Sequence, residues 1–414
     1  MTALPDRVPV AVVGGGQAGL AASWHLRRRG IEHVVLERAT VAHDWLDRRW
    51  DAFTLVTPNF QCRLPGFAYD GDEPDGFMTR EQVRAWLGRY RASFDPPVHE
   101  GVEVLGLRRT DDGFALRTSA GDLAAAQVVI ATGGYHVPSV PAFAALLPAS
   151  ITQVHSADYR NPASLPDGAV LVVGSGQSGA QIAEDLHLAG RQVHLALGRA
   201  PRSARFYRGR DCIAWLEDMG VYDVTVQQHA SGLAKRESTN HYMTGRNGGH
   251  DIDLRAFALA GMRLHGRLTG VVDGVLGVAP TMEGSLDHAD SVMESIKDDI
   301  DAYIARAGLE APTEARYRPV WRPAEEPATL DPGAEGISTV VWATGFRPDY
   351  RWVEVGVFDG SGHPTHRAGE TDVPGLFLLG LPWLTTWGSG RFAGVARDAE
   401  HVVDRVATRV AVPA

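Results

Sequence analysis

The sequence predicts an α/β protein with two dinucleotide-binding domains, one inserted into the other, and three observations carry that prediction. Residues 10–19, VAVVGGGQAG, and residues 170–179, VLVVGSGQSG, agree at seven of ten positions. Each stretch leads into a helical pattern and then a second apolar run, the order strand, glycine turn, helix, strand. Two more apolar strands, in VVIATGGY at 128–135 and VVWATGF at 340–346, end in Ala-Thr-Gly turns.

The elements follow in chain order. In the first unit Gly14, Gly16 and Gly19 end the strand, LAASWHLRRRG continues as a helix closed by Gly30, and HVVLER is the next strand. In the second unit Gly174, Gly176 and Gly179 take the same parts, AQIAEDLHLAG closes at Gly190, and RQVHLAL follows. The first glycine of such a turn permits the bend, the second lets backbone N–H groups approach a pyrophosphate, and the third allows close helix-to-strand packing. Gln17 and Ala18 in one copy, and Gln177 and Ser178 in the other, occupy the first helical turn at the phosphate end.

The two copies diverge at the end of the second strand. Counting 23 residues on from Gly14 lands on Glu37, followed by Arg38, whereas the same count from Gly174 lands on Leu197, followed by Gly198, Arg199, Ala200, Pro201 and Arg202. A carboxylate at this place accepts hydrogen bonds from ribose hydroxyls, while guanidinium groups suit a 2′-phosphate. The first cradle therefore reads as an FAD site and the second as an NADPH site, with Arg199 and Arg202 as phosphate contacts and Arg205 in reserve.

Composition narrows the class. The chain has 414 residues, 44% hydrophobic and 22% charged, which is long enough for two cores. A formal net charge of −10 gives no basic footprint for nucleic acid. No stretch reaches the roughly 18 apolar residues of a membrane span, and the N-terminal apolar run enters glycines directly instead of forming a secretory segment, so a cytoplasmic protein is expected. The two cysteines, Cys62 and Cys212, offer neither a CxxC pair nor zinc-ligand spacing.

The organisation expected is an FAD domain in residues 1–150, an NADPH domain in 165–335 with a helical elaboration at about 205–330, and a return segment of the FAD domain in 336–414. Thr132 and Gly133, and Thr344 and Gly345, sit in the Ala-Thr-Gly turns where the chain passes between domains. In the elaboration, FYRGRDCIAWLEDMG, DIDLRAFALAGMRLHG and SIKDDIDAYIARAGL each show helical spacing.

With GGGQAG and Glu37, ATGGY, HSADY, GSGQSG, WATGF and GLPW in view, the chain resembles class B flavin-dependent monooxygenases, the flavin-containing monooxygenase group. The runs RRWDAFTLVTPNFQCRLPGF, ITQVHSADYRNPASLP and GLPWLTTWGSGRFAGVARDAE are similar to a bacterial subgroup of flavin-dependent oxidoreductases associated with nitrilase gene clusters. The resemblance implies that NADPH reduces FAD and that a peroxyflavin, formed with O2, oxygenates a small nitrogen- or sulfur-containing substrate. An NADPH:acceptor reductase or oxidase without oxygen transfer, and a non-catalytic redox sensor, are the alternatives. The group's FxGxxxHxxxY pattern falls on Ala149, Ile151, His155 and Tyr159, so only its second half is matched, and Tyr159-Arg160 stands where the Baeyer–Villiger variant has Trp-Pro. Disulfide reductases share the two cradles but pass electrons through a cysteine pair that is missing here. A homodimer is left open.

The resemblance also points to individual residues. Asn59 is a candidate beside the flavin ring, against an Asx turn after Pro58. Trp45 and Trp50 are expected beside FAD, against plain core aromatics. His155 and Tyr159 either touch the nicotinamide half or order the interdomain linker. Leu381 stands where the reductases carry Asp, and Arg391 opens a helix whose positive end would face reduced flavin. His250, Asp251 and Asp253 in RNGGHDIDL read as a turn and helix cap, and no metal is expected.

Overall fold

The computed structural model describes residues 4–237 and 239–410. The first sheet is laid down by β1 (Arg7–Val13), β2 (His33–Glu37), β3 (Val98–Glu100), β4 (Val104–Thr110), β5 (Gly113–Thr118) and β6 (Gly121–Ile130). Its order is β3-β2-β1-β6-β5-β4, parallel from β3 to β6, with β4 to β6 forming an antiparallel meander. Helix α1 (Gln17–Arg28) connects β1 to β2, and α2 (Arg80–Phe94), held at its start by a Thr79–Gln82 capping box, precedes β3.

The second sheet holds β7 (Thr152–His155), β8 (Ala169–Val173), β9 (Val193–Ala196), β10 (Arg263–His265) and β11 (Ile337–Trp342), all parallel, in the order β10-β9-β8-β11-β7. Helix α3 (Gln177–Leu188) joins β8 to β9. A parallel strand between helices is buried on both faces and so reads as an unbroken apolar run. AVLVV of β8 shows this: Val170 and Val172 share a core with Ala180 and Ile182 of α3, while Leu171 and Val173 pack against Leu268, Val271 and Leu276. Strand β12 (Leu376–Leu378) then returns to the first sheet beside β6, and the last helix, α6 (Phe392–Val410), packs on α1.

Domain insertion is thus visible in strand order, but two boundaries shift. The strand of VVWATGF, expected in the FAD return segment, pairs with β7 and β8 in the second sheet. Thr152–His155, ahead of residue 165, lies in that sheet as well. The two crossings run antiparallel to each other, Val137–Pro138 against Phe346–Arg347.

The elaboration is only partly helical. FYRGRDCIAWLEDMG opens with an antiparallel pair, Phe206–Tyr207 with Arg210–Asp211, before α4 (Cys212–Asp218). DIDLRAFALAGMRLHG gives a short helix, Leu254–Leu259, capped by Asp253, and then β10 at the sheet edge. The longest helix among the described residues, α5 (Met282–Ala307), buries Met282, Leu286, Ala289, Met293, Lys297, Ile300 and Ile304 at three- and four-residue spacing along one face. Among the described residues no helix is long and apolar enough to cross a membrane.

Candidate functional site

The first cradle is built as its glycines require. Gly14 has φ +111, and a Cβ on it would lie 2.6 Å from the Ala131 carbonyl oxygen; a Cβ on Gly19 would lie 1.8 Å from the Gly14 carbonyl oxygen. Gly16 is different, because a Cβ there meets nothing within 4 Å. Its face is open where a pyrophosphate would approach the start of α1. The Glu37 carboxylate accepts the Gly15 N–H at 2.7 Å and the Ala39 N–H at 2.9 Å, which fixes it at the rim. Arg38 is exposed, 4.0 Å from Asp44.

Several elements meet at this rim. Gln17 donates to the Gly390 carbonyl at 3.1 Å and accepts from the Trp45 indole at 3.1 Å. A Cβ on Gly380 would stand 2.7 Å from the Ala18 Cβ, so the turn leading to the buried Leu381 lies directly on the start of α1. The starts of α1 and α6 therefore face one region, and both carry partial positive charge. Trp45 stacks on Phe392 at 5.4 Å, and the Arg49 guanidinium lies 5.4 Å from the Trp45 ring centroid. Trp50 is buried edge-on to Phe53. Thr132 and Gly133 follow Ala131 at the Gly14 turn, and the Gly133 carbonyl accepts the Tyr350 hydroxyl at 2.9 Å.

The second cradle repeats this construction. Gly174 (φ +103) approaches the Ala343 carbonyl, leaving 2.6 Å for a Cβ, and Gly179 leaves 1.8 Å to the Gly174 carbonyl. The nearest atom to a Cβ on Gly176 would be the Thr239 methyl at 3.6 Å. Thr344 and Gly345 thus belong beside this cradle as Thr132 and Gly133 belong beside the first. Ser175 ties the turn to the strand end by accepting the Gly198 N–H at 3.1 Å, and Ser178 is half-buried at the start of α3. Arg199 is exposed, and among the described residues it forms no ion pair, leaving its guanidinium available to a phosphate.

Arg202 requires a correction. Its side chain is 3% exposed, lies 2.6 Å from Asp290 and 3.7 Å from Asp253, and stacks over Tyr317 at 4.2 Å. A guanidinium already paired with two carboxylates and covered by a ring is not offered to a ligand. Arg205 is withdrawn too: fully buried, it pairs with Asp211 and donates to the Val56 carbonyl at 2.7 Å. The elaboration's acids consume both arginines.

Asn59 is likewise corrected. It is 2% exposed and both ends of its amide are engaged, donating to the Glu73 carbonyl at 2.9 Å and accepting the Met78 N–H at 2.9 Å. It staples the 59–78 loop. His155 and Tyr159 both have partners within the protein: His155 Nε2 lies 3.0 Å from the Gly345 carbonyl, and the buried Tyr159 hydroxyl donates to Asp185 at 2.7 Å. Burial holds the His155 imidazole below its ordinary pKa, and burial together with Asp185 raises the Tyr159 phenol. Asp253 caps its helix, Asp251 accepts the Arg205 N–H at 2.6 Å, and His250 pairs with Glu184.

Sequence reasoning passed over the contacts that join the two cradles. Gln177 reaches the Met243 carbonyl at 2.5 Å, Thr239 lies by Gly176, and Asn240 accepts the Trp387 indole N–H at 3.2 Å. Trp387 stacks on Tyr222 at 5.1 Å with rings 13° from parallel, and Arg391 caps both, its guanidinium 4.5 Å and 5.7 Å from the two ring centroids. Burial raises the Tyr222 phenol against the opposing pull of Arg391. Only Arg391 of this cluster was marked by the sequence, because it alone sits at a helix start; the stacking partners come from segments far apart in the chain. Cys62 and Cys212 are both free and buried, and burial pushes each thiol up to about 12. Among the described residues no group of three or more His, Cys, Asp or Glu is placed to hold a metal ion.

Residues 11–217, which contain both glycine cradles and the first Ala-Thr-Gly turn, match the model of one family, described as pyridine nucleotide-disulphide oxidoreductase. The chain belongs to that family. A relative from Geobacillus kaustophilus, named as an uncharacterized oxidoreductase CzcO-like, is 30% identical over 404 residues, covering 96% of this chain and 98% of its own. The probable indole-3-pyruvate monooxygenase YUCCA3 of Arabidopsis thaliana is 31% identical over 188 residues, 42% of this chain and 43% of its own. A mutant of the flavin monooxygenase from Stenotrophomonas maltophilia carries the same fold at a TM-score of 0.68 and 20% identity, over 98% of this chain and all of that one. The family description and the relative that matches over nearly the whole length are those of oxidoreductases, and the chain is an enzyme of that type.

Proposed function

We propose that this oxidoreductase uses NADPH and O2 to insert one oxygen atom into a small nitrogen- or sulfur-containing molecule. The observation that supports this reading best is the meeting of the two cradles at Trp387, Tyr222 and Arg391, through residues 239–243 on one side and the start of α6 on the other. Bound FAD would supply the hydride acceptor and the centre at which O2 is activated. The chain's own residues do the rest. Glu37 holds a ribose, the open faces at Gly16 and Gly176 admit the pyrophosphates, and Arg199 holds the 2′-phosphate. The starts of α1 and α6 and the Arg391 guanidinium favour negative charge where they converge. The Trp387 and Tyr222 rings cover that region and limit water. With both thiols buried and far above a thiolate pKa, the cysteine route of the disulfide reductases has no nucleophile here.

Turnover under ¹⁸O2 tests the reading across amines, thioethers, ketones and nitriles. One ¹⁸O atom in an amine or thioether product, with little hydrogen peroxide, is the expected result. Quantitative recovery of the NADPH electrons as peroxide with every compound would assign an oxidase instead.

A further inference from the structure

We propose that Arg49 binds the pyrophosphate of FAD, adding a charged contact to those of the glycine turn. This role rests on FAD in the first cradle and not on oxygen transfer. Two anchors tie the segment before Arg49 to opposite parts of that cradle. The Trp45 indole donates at 3.1 Å to Gln17, the first residue of α1. The Arg48 guanidinium donates at 3.1 Å to the Tyr135 carbonyl, two residues past Gly133 of the Ala-Thr-Gly turn that backs Gly14. Arg49 itself is held by Arg80, which donates to its carbonyl at 2.9 Å. Its guanidinium lies 5.4 Å from the Trp45 ring centroid and 5.5 Å from that of Phe53. One indole ring therefore separates the guanidinium from the start of α1, where the open face at Gly16 admits the pyrophosphate.

No acid of the protein neutralises this cation. Among the described residues Arg49 forms no ion pair, and its guanidinium makes a single hydrogen bond, to the Arg48 carbonyl at 2.8 Å. The carboxylates of the same segment are engaged elsewhere: Asp44 lies 3.9 Å from Arg48 and 4.0 Å from Arg38, Asp47 pairs with His43 at 2.7 Å, and Asp51 pairs with Arg80 at 2.7 Å. Arg49 is nevertheless half-buried, and burial pulls its guanidinium below the ordinary pKa against the opposing charge of Asp44. Taking a cation out of water without an anion beside it is costly, and a bound phosphate group supplies the missing partner. The planar fork matches two phosphate oxygens at once, and two rings already hold it in place, so little freedom is lost when it binds.

The experiment compares the full-length wild type, Arg49→Met and Arg49→Lys by two measurements: FAD rebinding after the cofactor is removed, followed by quenching of flavin fluorescence, and the midpoint potential of the FAD-saturated enzyme. Arg49→Met keeps an apolar stem against Trp45 and Phe53 and removes the charge. It should bind FAD at least about tenfold more weakly, the loss expected for one hydrogen bond to a charged group. The potential of the saturated enzyme should stay at the wild-type value, because a pyrophosphate contact is the same for oxidised and reduced flavin. Arg49→Lys restores a charge without the fork and should recover part of the lost affinity. Wild-type affinity in Arg49→Met, or a loss that Arg49→Lys does not relieve, would overturn the proposal. A lowered potential in Arg49→Met would also overturn it, by putting the guanidinium beside the reduced flavin ring instead. A wild-type chain that takes up no FAD would overturn the assignment of the first cradle and this proposal with it.

Discussion

Replacing Arg199 and Arg202 in turn separates two guanidinium groups that look alike in sequence and differ entirely in surroundings. Arg199 is exposed at the end of β9 with no carboxylate partner among the described residues, so Arg199→Ala removes a ligand contact and little else. A hydrogen bond to a charged group contributes about 1.5–3 kcal/mol, which corresponds to NADPH binding weakened roughly ten- to hundredfold. NADH, without the 2′-phosphate, should bind as before. Arg202→Ala strips Asp253 and Asp290 of a buried partner, and breaking such a pair costs about 3–5 kcal/mol of stability. Asp290 keeps Arg255 at 2.9 Å, which places the loss toward the lower figure. The assay is the rate of anaerobic flavin reduction against NADPH and NADH concentration, with urea unfolding alongside. Arg199→Ala should raise the NADPH concentration for half-maximal rate while leaving the limiting rate and the urea midpoint in place. Arg202→Ala should lower the midpoint first. An unchanged NADPH/NADH preference in Arg199→Ala, or a changed preference in an Arg202→Ala protein of wild-type stability, would refute the assignment.

Gly16→Ala adds a methyl group that meets no protein atom, so the apoprotein should fold with an unchanged melting temperature while FAD content after purification falls sharply; full FAD occupancy would mean the pyrophosphate lies elsewhere. Treating the folded enzyme with iodoacetamide should leave NADPH oxidation intact and both cysteines unlabelled by mass spectrometry, because burial pushes each thiol up to about 12; rapid inactivation would restore a thiol mechanism. His194 and His265 stack at 5.2 Å with ring nitrogens 3.0 Å apart, and burial lowers both to about 4. The unfolded chain therefore binds more protons between about pH 4 and 6.5, and stability should fall as pH drops through that window, by up to about 1.4 kcal/mol per pH unit for each histidine. His265→Leu should flatten the slope of the urea midpoint against pH, and an undiminished slope would show that other groups set it.

The features that could be read from sequence are those whose physics is local. Gly14 and Gly174 need positive φ, Gly19 and Gly179 have no space for a side chain, and Glu37 sits at a strand end a fixed distance from its turn, so spacing alone located them. Arg202 was misread because its partners, Asp253 and Asp290, arrive from the elaboration, and nothing near residue 202 announces them. Asn59 failed for the same reason: the backbone groups that occupy its amide belong to residues 73 and 78. The strand Ile337–Trp342 looked like part of the return segment because sheet membership is settled by pairing with Thr152–His155 and Ala169–Val173, a non-local choice. Tyr222, Trp387 and Arg49 were invisible because an aromatic or a cation has no sequence period that marks it as half of a stack.

The central claim is that a flavin held by the first cradle is reduced by NADPH held by the second. Anaerobic mixing of the FAD-loaded Gly176→Val variant with NADPH tests it most directly, since a branched side chain would fill the open face beside Thr239 without touching the flavin cradle. The account predicts wild-type FAD content and normal bleaching by dithionite, together with loss of bleaching by NADPH at concentrations that reduce the wild type completely. Bleaching by NADPH at the wild-type rate and concentration dependence would contradict it.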